Sequence, residues 1–332
     1  MADDPRAAAE RLFRDHVVWD DHSGFGPDPS VDLAKLAIWK DAGVDYLSID
    51  VGYDVMDWRD TVKTLAAFRR WIRASDGYEL VTSVEQVRAA KKAGRMAVTF
   101  DLEGMNCLDG SLDMVEMYYD LGVRQMLFAY NKNNLAGGGC HDGDVGLTQF
   151  GRDVVGEMNR LGMVVDVSHC SHRTSMEAME LSAAPCIFSH SNPRALRDHE
   201  RNIRDDQAKA CAATGGVVGV VGIGIFLGDN DTRTATLADH VDHLVDLIGP
   251  RHVGIGLDYA FEGEDGDDLA AITAAARDYW PEHQYHYDRV DCVRPAQIVD
   301  LAEELLRRQY AEKDVAGILG GNFMRVAEAV WK

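Results

Sequence analysis

The sequence predicts an α/β fold, a (β/α)8 TIM-type barrel carrying additional C-terminal helices. Short runs of β-branched and apolar residues are followed by longer amphipathic stretches, the alternation of a parallel sheet with helical crossovers. Eight such runs fall between residues 17 and 258 of the 332-residue chain, the strand count of a closed barrel. The nucleotide fingerprint that often accompanies an open doubly wound sheet is missing. Gly254, Ile255 and Gly256 are followed by Leu257, Asp258 and Tyr259, which breaks the G-x-G-x-x-G pattern.

The first strand is expected at 17–23 (VVWDDHS), where an apolar run ends in polar residues, and an amphipathic helix at 33–42 follows it. The run 44–51 (VDYLSIDV) is the second strand, followed by a helix at 61–74. The third, 96–102 (MAVTFDL), leads to a helix at 112–121, and the fourth, 124–131 (RQMLFAYN), to one at 150–161. Strands at 163–168 (MVVDVS) and 186–190 (CIFSH) precede helices at 173–181 and 205–213. The run 216–225 (GVVGVVGIGI) is the seventh strand, and a helix at 236–247 comes next; Gly254 and Gly256 suit close backbone packing within the eighth. The run 252–258 (HVGIGLD) completes the eight. The segment 262–292 then begins acidic (EGEDGDD) and turns aromatic and His-rich (YWPEHQYHYD), the composition of a lid, an interface or a mobile loop. Helices at 295–308, 313–319 and 323–331 close the chain, so that residues 1–332 read as one barrel domain.

Composition narrows the function. Hydrophobic residues make up 46% and charged residues 27%, which excludes wholesale disorder. Lys plus Arg is 34 and Asp plus Glu is 55, a net charge of −21. So acidic a chain repels polyphosphate, so neither nucleic acid nor an anionic membrane is expected as a partner. The first residues lack a basic segment followed by an apolar one, and the apolar stretch 215–228 is too short to span a bilayer. Six cysteines without a C-x-x-C pair read as reduced thiols, so a cytoplasmic location is expected.

In a barrel, the residues at the C-terminal strand ends face one pocket. Here those positions are His22, Glu103, His169, His190 and Asp258. His169 and His190 are one strand–helix repeat apart, so neighbouring staves deliver both imidazoles to one rim. Three imidazoles and two carboxylates suit a divalent metal of the zinc type with a position left open for water. Each alone has a duller use, as a hydrogen-bonded rim residue or a turn cap; the five together point to a metal.

The segments WDDHSG, FDLEGMN, LTQFG, DVSHCS, PCIFSHSNPRAL, ERNIRDD, HVGIGLDYAFEG and GGNFMRV resemble the membrane (renal) dipeptidase family of zinc metallopeptidases, amidohydrolase-like barrels. The resemblance runs from Trp19 to Val326. It implies a two-metal centre with Glu103 bridging, His169 and His190 on one ion and His22 on the other. It implies Asp258 as the acid/base and Arg201 as the holder of the substrate's C-terminal carboxylate, a task suited to a guanidinium. It also implies pairing as a homodimer.

Two departures stand out. The family's first-strand motif is His-x-Asp, but here Gly24 follows His22 and Ser23. By strand alternation Asp20 shares a face with His22, either as a substitute ligand or as a hydrogen-bond partner of that imidazole. Where the family has a substrate-contacting histidine after the fourth strand, this chain has Tyr130, with His141 nearby in GGGCHDGD. Either could donate to an oxyanion. The expected function is a metal-dependent dipeptidase holding one or two zinc ions and hydrolysing dipeptides or dipeptide-like amides by a metal-activated water. The alternatives are a one-metal hydrolase of another small amide or N-substituted amino acid, and a non-catalytic ligand-binding relative. The lost Asp predicts weak occupancy of the first metal site, which Gly24→Asp would fill.

Overall fold

A computed structural model describes residues 4–261 and 276–332. Helix α1 (Pro5–Asp15) starts at Asp4, whose side chain accepts from Arg6 N, with proline at the first helical position. Then come β1 (Trp19–Ser23), α2 (Ala37–Asp41), β2 (Tyr46–Tyr53), α3 (Trp58–Ala74), β3 (Tyr78–Leu80), α4 (Val84–Lys92) and β4 (Met96–Glu103). The middle of the chain forms α5 (Asp113–Leu121), β5 (Val123–Leu127), α6 (Gln149–Leu161), β6 (Val164–Asp166), α7 (His172–Leu181), β7 (Cys186–Phe188) and α8 (Asp205–Ala213). The last third holds β8 (Val217–Val220), α9 (Gly224–Leu227), α10 (Thr234–Ile248), β9 (Val253–Ile255), α11 (Ile298–Arg307), α12 (Glu312–Ala316) and α13 (Asn322–Val330). No helix of the described residues is long and apolar enough to cross a membrane.

The strands run parallel in the order β1-β2-β4-β5-β6-β7-β8-β9. The ring closes where the chain after β9 returns to β1. Ser23 bridges Tyr259, Gly24 N donates to Tyr259 O at 3.0 Å, and Asp258 N donates to His22 O at 3.2 Å. The predicted eight-stranded barrel is therefore present, with β3 as a ninth strand that borrows the first half of β4. Tyr78–Leu80 pair with 96–98, and β5 takes over from Phe100 onward. Sequence periodicity missed α1, β3 and α4; three half-buried residues give β3 almost no alternation to read.

One mouth of the barrel is plugged. Phe323, Val326 and Val330 of α13 share a buried cluster with Trp19, Tyr46, Val164, Ile187 and Val217 from the strand starts. Trp19 stacks on Tyr46 at 3.4 Å between ring centroids. The other mouth carries the polar strand ends. There the strands stop earlier than predicted: the fourth at Leu127 rather than 131, the seventh at Val220 rather than 225, the last at Ile255 rather than 258. Beyond three of the strand ends, Asn131, His169 and Asp258 have φ angles of 60°, 59° and 57°, in the left-handed region. Such backbone cannot continue a ladder, and it costs energy that functional sites commonly bear.

Candidate metal centre

Five staves deliver the central groups. His22 comes from β1, Asp101 and Glu103 from β4, and His169, His190 and Asp258 from the turns after β6, β7 and β9. Glu103 Oε1 is the focus, 3.2 Å from His169 Nε2, 3.3 Å from His190 Nε2 and 3.6 Å from His22 Nε2. His22 Nε2 is also 3.6 Å from Asp258 Oδ1. Among the described residues, two groups place three possible ligand atoms within mutual reach: Glu103, His169 and His190, and His22, His190 and Asp258.

The hydrogen bonds show where the protons are. His169 Nδ1 meets Asn131 Oδ1, an acceptor, at 2.7 Å, so Nδ1 carries the proton and Nε2 a lone pair. Arg201 Nε donates to that same Nε2 at 3.1 Å, which agrees. Ser189 gives its hydroxyl proton to Asp166, so His190 Nδ1 must donate to Ser189 Oγ at 2.7 Å. His190 Nε2 is then also bare, 3.0 Å from His169 Nε2. The third member, Glu103 Oε1, is buried without any hydrogen-bond partner. Three acceptor atoms face one another; Arg201 Nε–H serves His169 Nε2, while Glu103 Oε1 and His190 Nε2 have no donor here and are left for a cation to satisfy. The residues fit a metal; His169 and His190 are each oriented through the other ring nitrogen, and His22 Nδ1 stands 3.1 Å from Asp101 Oδ1.

The electrostatics agree. Burial, reinforced by Arg201, lowers His169 well below the ordinary imidazole range, and burial does the same to His190, keeping both neutral. Burial pushes Glu103 well up; His22 offsets part of this, while Asp50 and Asp258 add to it. Burial opposes charge on His22, but Asp101, Glu103 and Asp258 outweigh it and hold its pKa high. Asp50 is pushed up to about 8 by burial and Asp101. Crowded carboxylates of this kind are what a divalent cation neutralises.

A cavity of about 210 Å³ opens onto the centre. Asp50, Glu103, His169 and Asp258 form its polar floor, and Phe25, Tyr130, Phe226, Trp280 and Tyr285 stand among its walls. Trp280 and Tyr285 belong to the segment expected as a lid or interface; its acidic run at 262–268 lies outside the described residues.

The family model for membrane dipeptidase, peptidase family M19, matches residues 29–278. The chain belongs to the membrane dipeptidase family. It is 31% identical to Dipeptidase 3 of Macaca fascicularis over 295 residues, 86% of this chain and 55% of that one. It is 36% identical to an uncharacterized dipeptidase of Schizosaccharomyces pombe over 225 residues, 65% of this chain and 54% of that one. This membrane dipeptidase family chain thus spans about half the length of these curated relatives. An amidohydrolase from Pseudomonas aeruginosa superposes with a TM-score of 0.89 at 27% identity, covering 97% of this chain and 99% of that one. A metallo peptidase from Rhodobacter sphaeroides, liganded with a phosphinate mimic of the dipeptide L-Ala-D-Ala, shares the fold with a TM-score of 0.74 at 20% identity, over 96% of this chain and 100% of that one. Membership of the membrane dipeptidase family implies a divalent metal, and the His and Glu groups described above are those able to hold it.

Against the membrane dipeptidase pattern, several expected residues stand elsewhere. Asp20 does not reach the centre as ligand or as partner of His22. Its Oδ1 accepts from Leu257 N at 2.7 Å and its Oδ2 from Trp39 Nε1 at 2.9 Å. The reason is a bulge: the β1–β2 register shifts between Asp20 and Ser23, so alternation does not carry from Asp20 to His22. Asp101, two residues before Glu103, stands beside His22 instead, its Oδ1 3.1 Å from Nδ1 as an ion-pair contact. His141 is not brought to the cavity wall; its ring nitrogens meet Glu200 at 2.9 Å and Tyr285 at 3.0 Å. Tyr130 does line the cavity, its ring stacked 4.3 Å from His169. Arg201 does not line this cavity either; it is buried beside the centre, on a neighbouring cavity of about 190 Å³ that shares His169, and also donates to His190 O and Ser191 Oγ. Sequence reasoning missed Asp50, Asp101, Asn131 and the Asp166–Ser189 pair. Asp50 and Asp101 were accessible as acidic residues near strand ends; Asn131 and Ser189 carry no such signal.

Proposed function

We propose that this chain is a metal-dependent dipeptidase that hydrolyses the amide bond of dipeptides or dipeptide-like compounds. The observation that carries this reading is the set of three facing acceptors, Glu103 Oε1, His169 Nε2 and His190 Nε2. Glu103, His169 and His190 would hold one zinc ion, and His22 would help to hold a second. Bound zinc supplies a water whose pKa is drawn down to ~7 and polarises the carbonyl. Asp258 accepts the proton of the attacking water and returns it to the leaving amine, from a position beside His22 at the cavity floor. The Tyr130 hydroxyl is the donor for the developing oxyanion. The apolar walls, including Phe25, Ile225 and Phe226, favour an apolar substrate side chain. Buried reduced thiols such as Cys107, Cys170 and Cys211 support a reducing compartment such as the cytoplasm, and a homodimer is the assembly that the family resemblance suggests.

Arg201 gains a role by the same logic. Its Nε–H now rests on the His169 Nε2 lone pair, the one needed for a metal. Once that lone pair is used, the guanidinium needs another acceptor, and a substrate C-terminal carboxylate supplies it.

Two measurements test the assignment. Asp258→Asn should lower kcat by ~100- to 10,000-fold on any dipeptide that the parent cleaves. Turnover at the parental rate would give the acid/base role to another residue. Arg201→Ala should raise KM by ~10- to 100-fold for substrates with a free C-terminal carboxylate and far less for the corresponding amides. Equal losses for both would assign Arg201 to holding the His169 and His190 turns.

A further inference from the structure

Asp50 has no part in the mechanism above, yet it is built into the cavity. It sits near the end of β2, the stave beside β1, and is 3% exposed. Gly52 N donates to its Oδ1 at 2.9 Å, and its own backbone N donates to Ser23 Oγ at 3.3 Å, so the side chain is anchored. It lines the cavity together with Gly24, Glu103 and Asp258. Among the described residues it belongs to neither group able to hold a metal, and no Lys or Arg forms an ion pair with it. With no Lys or Arg beside it, this buried carboxyl group facing a cavity holds its proton, and its charge is stabilised when something cationic arrives there.

The barrel order says what arrives. Counting staves, β2 is second and β7 sixth of eight, so the two stand on opposite sides of the ring. Arg201 follows β7 and reaches the centre from that side. A guanidinium and a buried carboxyl group thus stand on opposite sides of the barrel, either side of Glu103. A dipeptide zwitterion carries the complementary pair, a carboxylate at one end and an ammonium at the other. We propose that Asp50 receives the N-terminal ammonium of the substrate, so that this centre selects amides with a free α-amine. The proposal rests on the dipeptidase reading.

The test compares Ala-Leu with N-acetyl-Ala-Leu on the zinc-loaded parent and on Asp50→Asn, which keeps the size and removes the charge. The parent should prefer the free amine in kcat/KM, and Asp50→Asn should reduce that preference by ~10- to 100-fold, the loss expected for a charge-assisted contact. Metal per chain should be the same in both proteins. An unchanged preference overturns the proposal, and so does a loss of metal, which would make Asp50 a ligand. Calorimetric binding of the two compounds to both proteins reads the same contact without turnover. A parent that binds Ala-Leu through Asp50 but cleaves nothing would sink the dipeptidase reading and leave the ammonium site standing.

Discussion

Glu103→Gln should strip the protein of metal and activity together. Glu103 Oε1 is the atom on which three imidazole nitrogens converge, and it has no hydrogen bond of its own. Glutamine keeps the length but removes the negative charge, and it can turn an N–H into a space made of lone pairs. Metal content should fall to under about a tenth of the parent's, and turnover by on the order of 10,000-fold, because the water pKa is no longer drawn down from 15.7. Metal per chain after dialysis, with circular dichroism as a check on folding, decides it. Chelation of the parent should do the same reversibly, with zinc, manganese or cobalt restoring part of the rate. Full activity in a protein shown to be metal-free would end the metallohydrolase reading.

Gly24→Asp should damage the protein rather than complete a metal site. From the sequence, Gly24 reads as a lost ligand that could be put back. The structure reverses that expectation. A Cβ at position 24 would lie 2.3 Å from the Asp258 carbonyl oxygen and 2.4 Å from Asp258 Oδ1. The carbonyl is backbone at the seam where the barrel closes, next to the Gly24 N to Tyr259 O hydrogen bond, so it cannot swing aside. Overpacking of this kind costs ~1–3 kcal/mol, and an aspartate adds a like charge against Asp258. Gly24→Ala should therefore lower Tm by several degrees, at roughly 2–4 °C per kcal/mol for a large domain. Gly24→Asp should lower it further and bind less metal than the parent at matched free zinc. A variant that melts with the parent and binds more metal would restore the lost-ligand account.

The contrast between Gly24 and His190 shows how far the sequence reaches. His190 was legible because a run of apolar residues, CIF, ends directly before the polar pair that bears it, and its partner His169 recurs one repeat earlier. That logic found His22, Glu103 and Asp258 as well. It failed at Asp20, where it assumed unbroken alternation and the strand instead carries a bulge. It failed at His141 for a different reason. That residue lies in a loop whose path is set by contacts with Glu200 and Tyr285, 59 and 144 residues away.

The sequence by itself determined the barrel, the order of its staves and the identity of the groups at the centre. These follow from local periodicity and from the rule that strand ends share a rim, which need only neighbouring residues to be right. Tertiary structure alone decided which atoms of those groups meet. The bare Nε2 of His190 depends on a proton handed from Ser189 to Asp166, a residue on another stave. The closure at Gly24 depends on two strands 235 residues apart, since Gly24 N bonds Tyr259 O. Proton positions and close approaches are set by distances of a few tenths of an ångström between remote segments, and no local pattern encodes them.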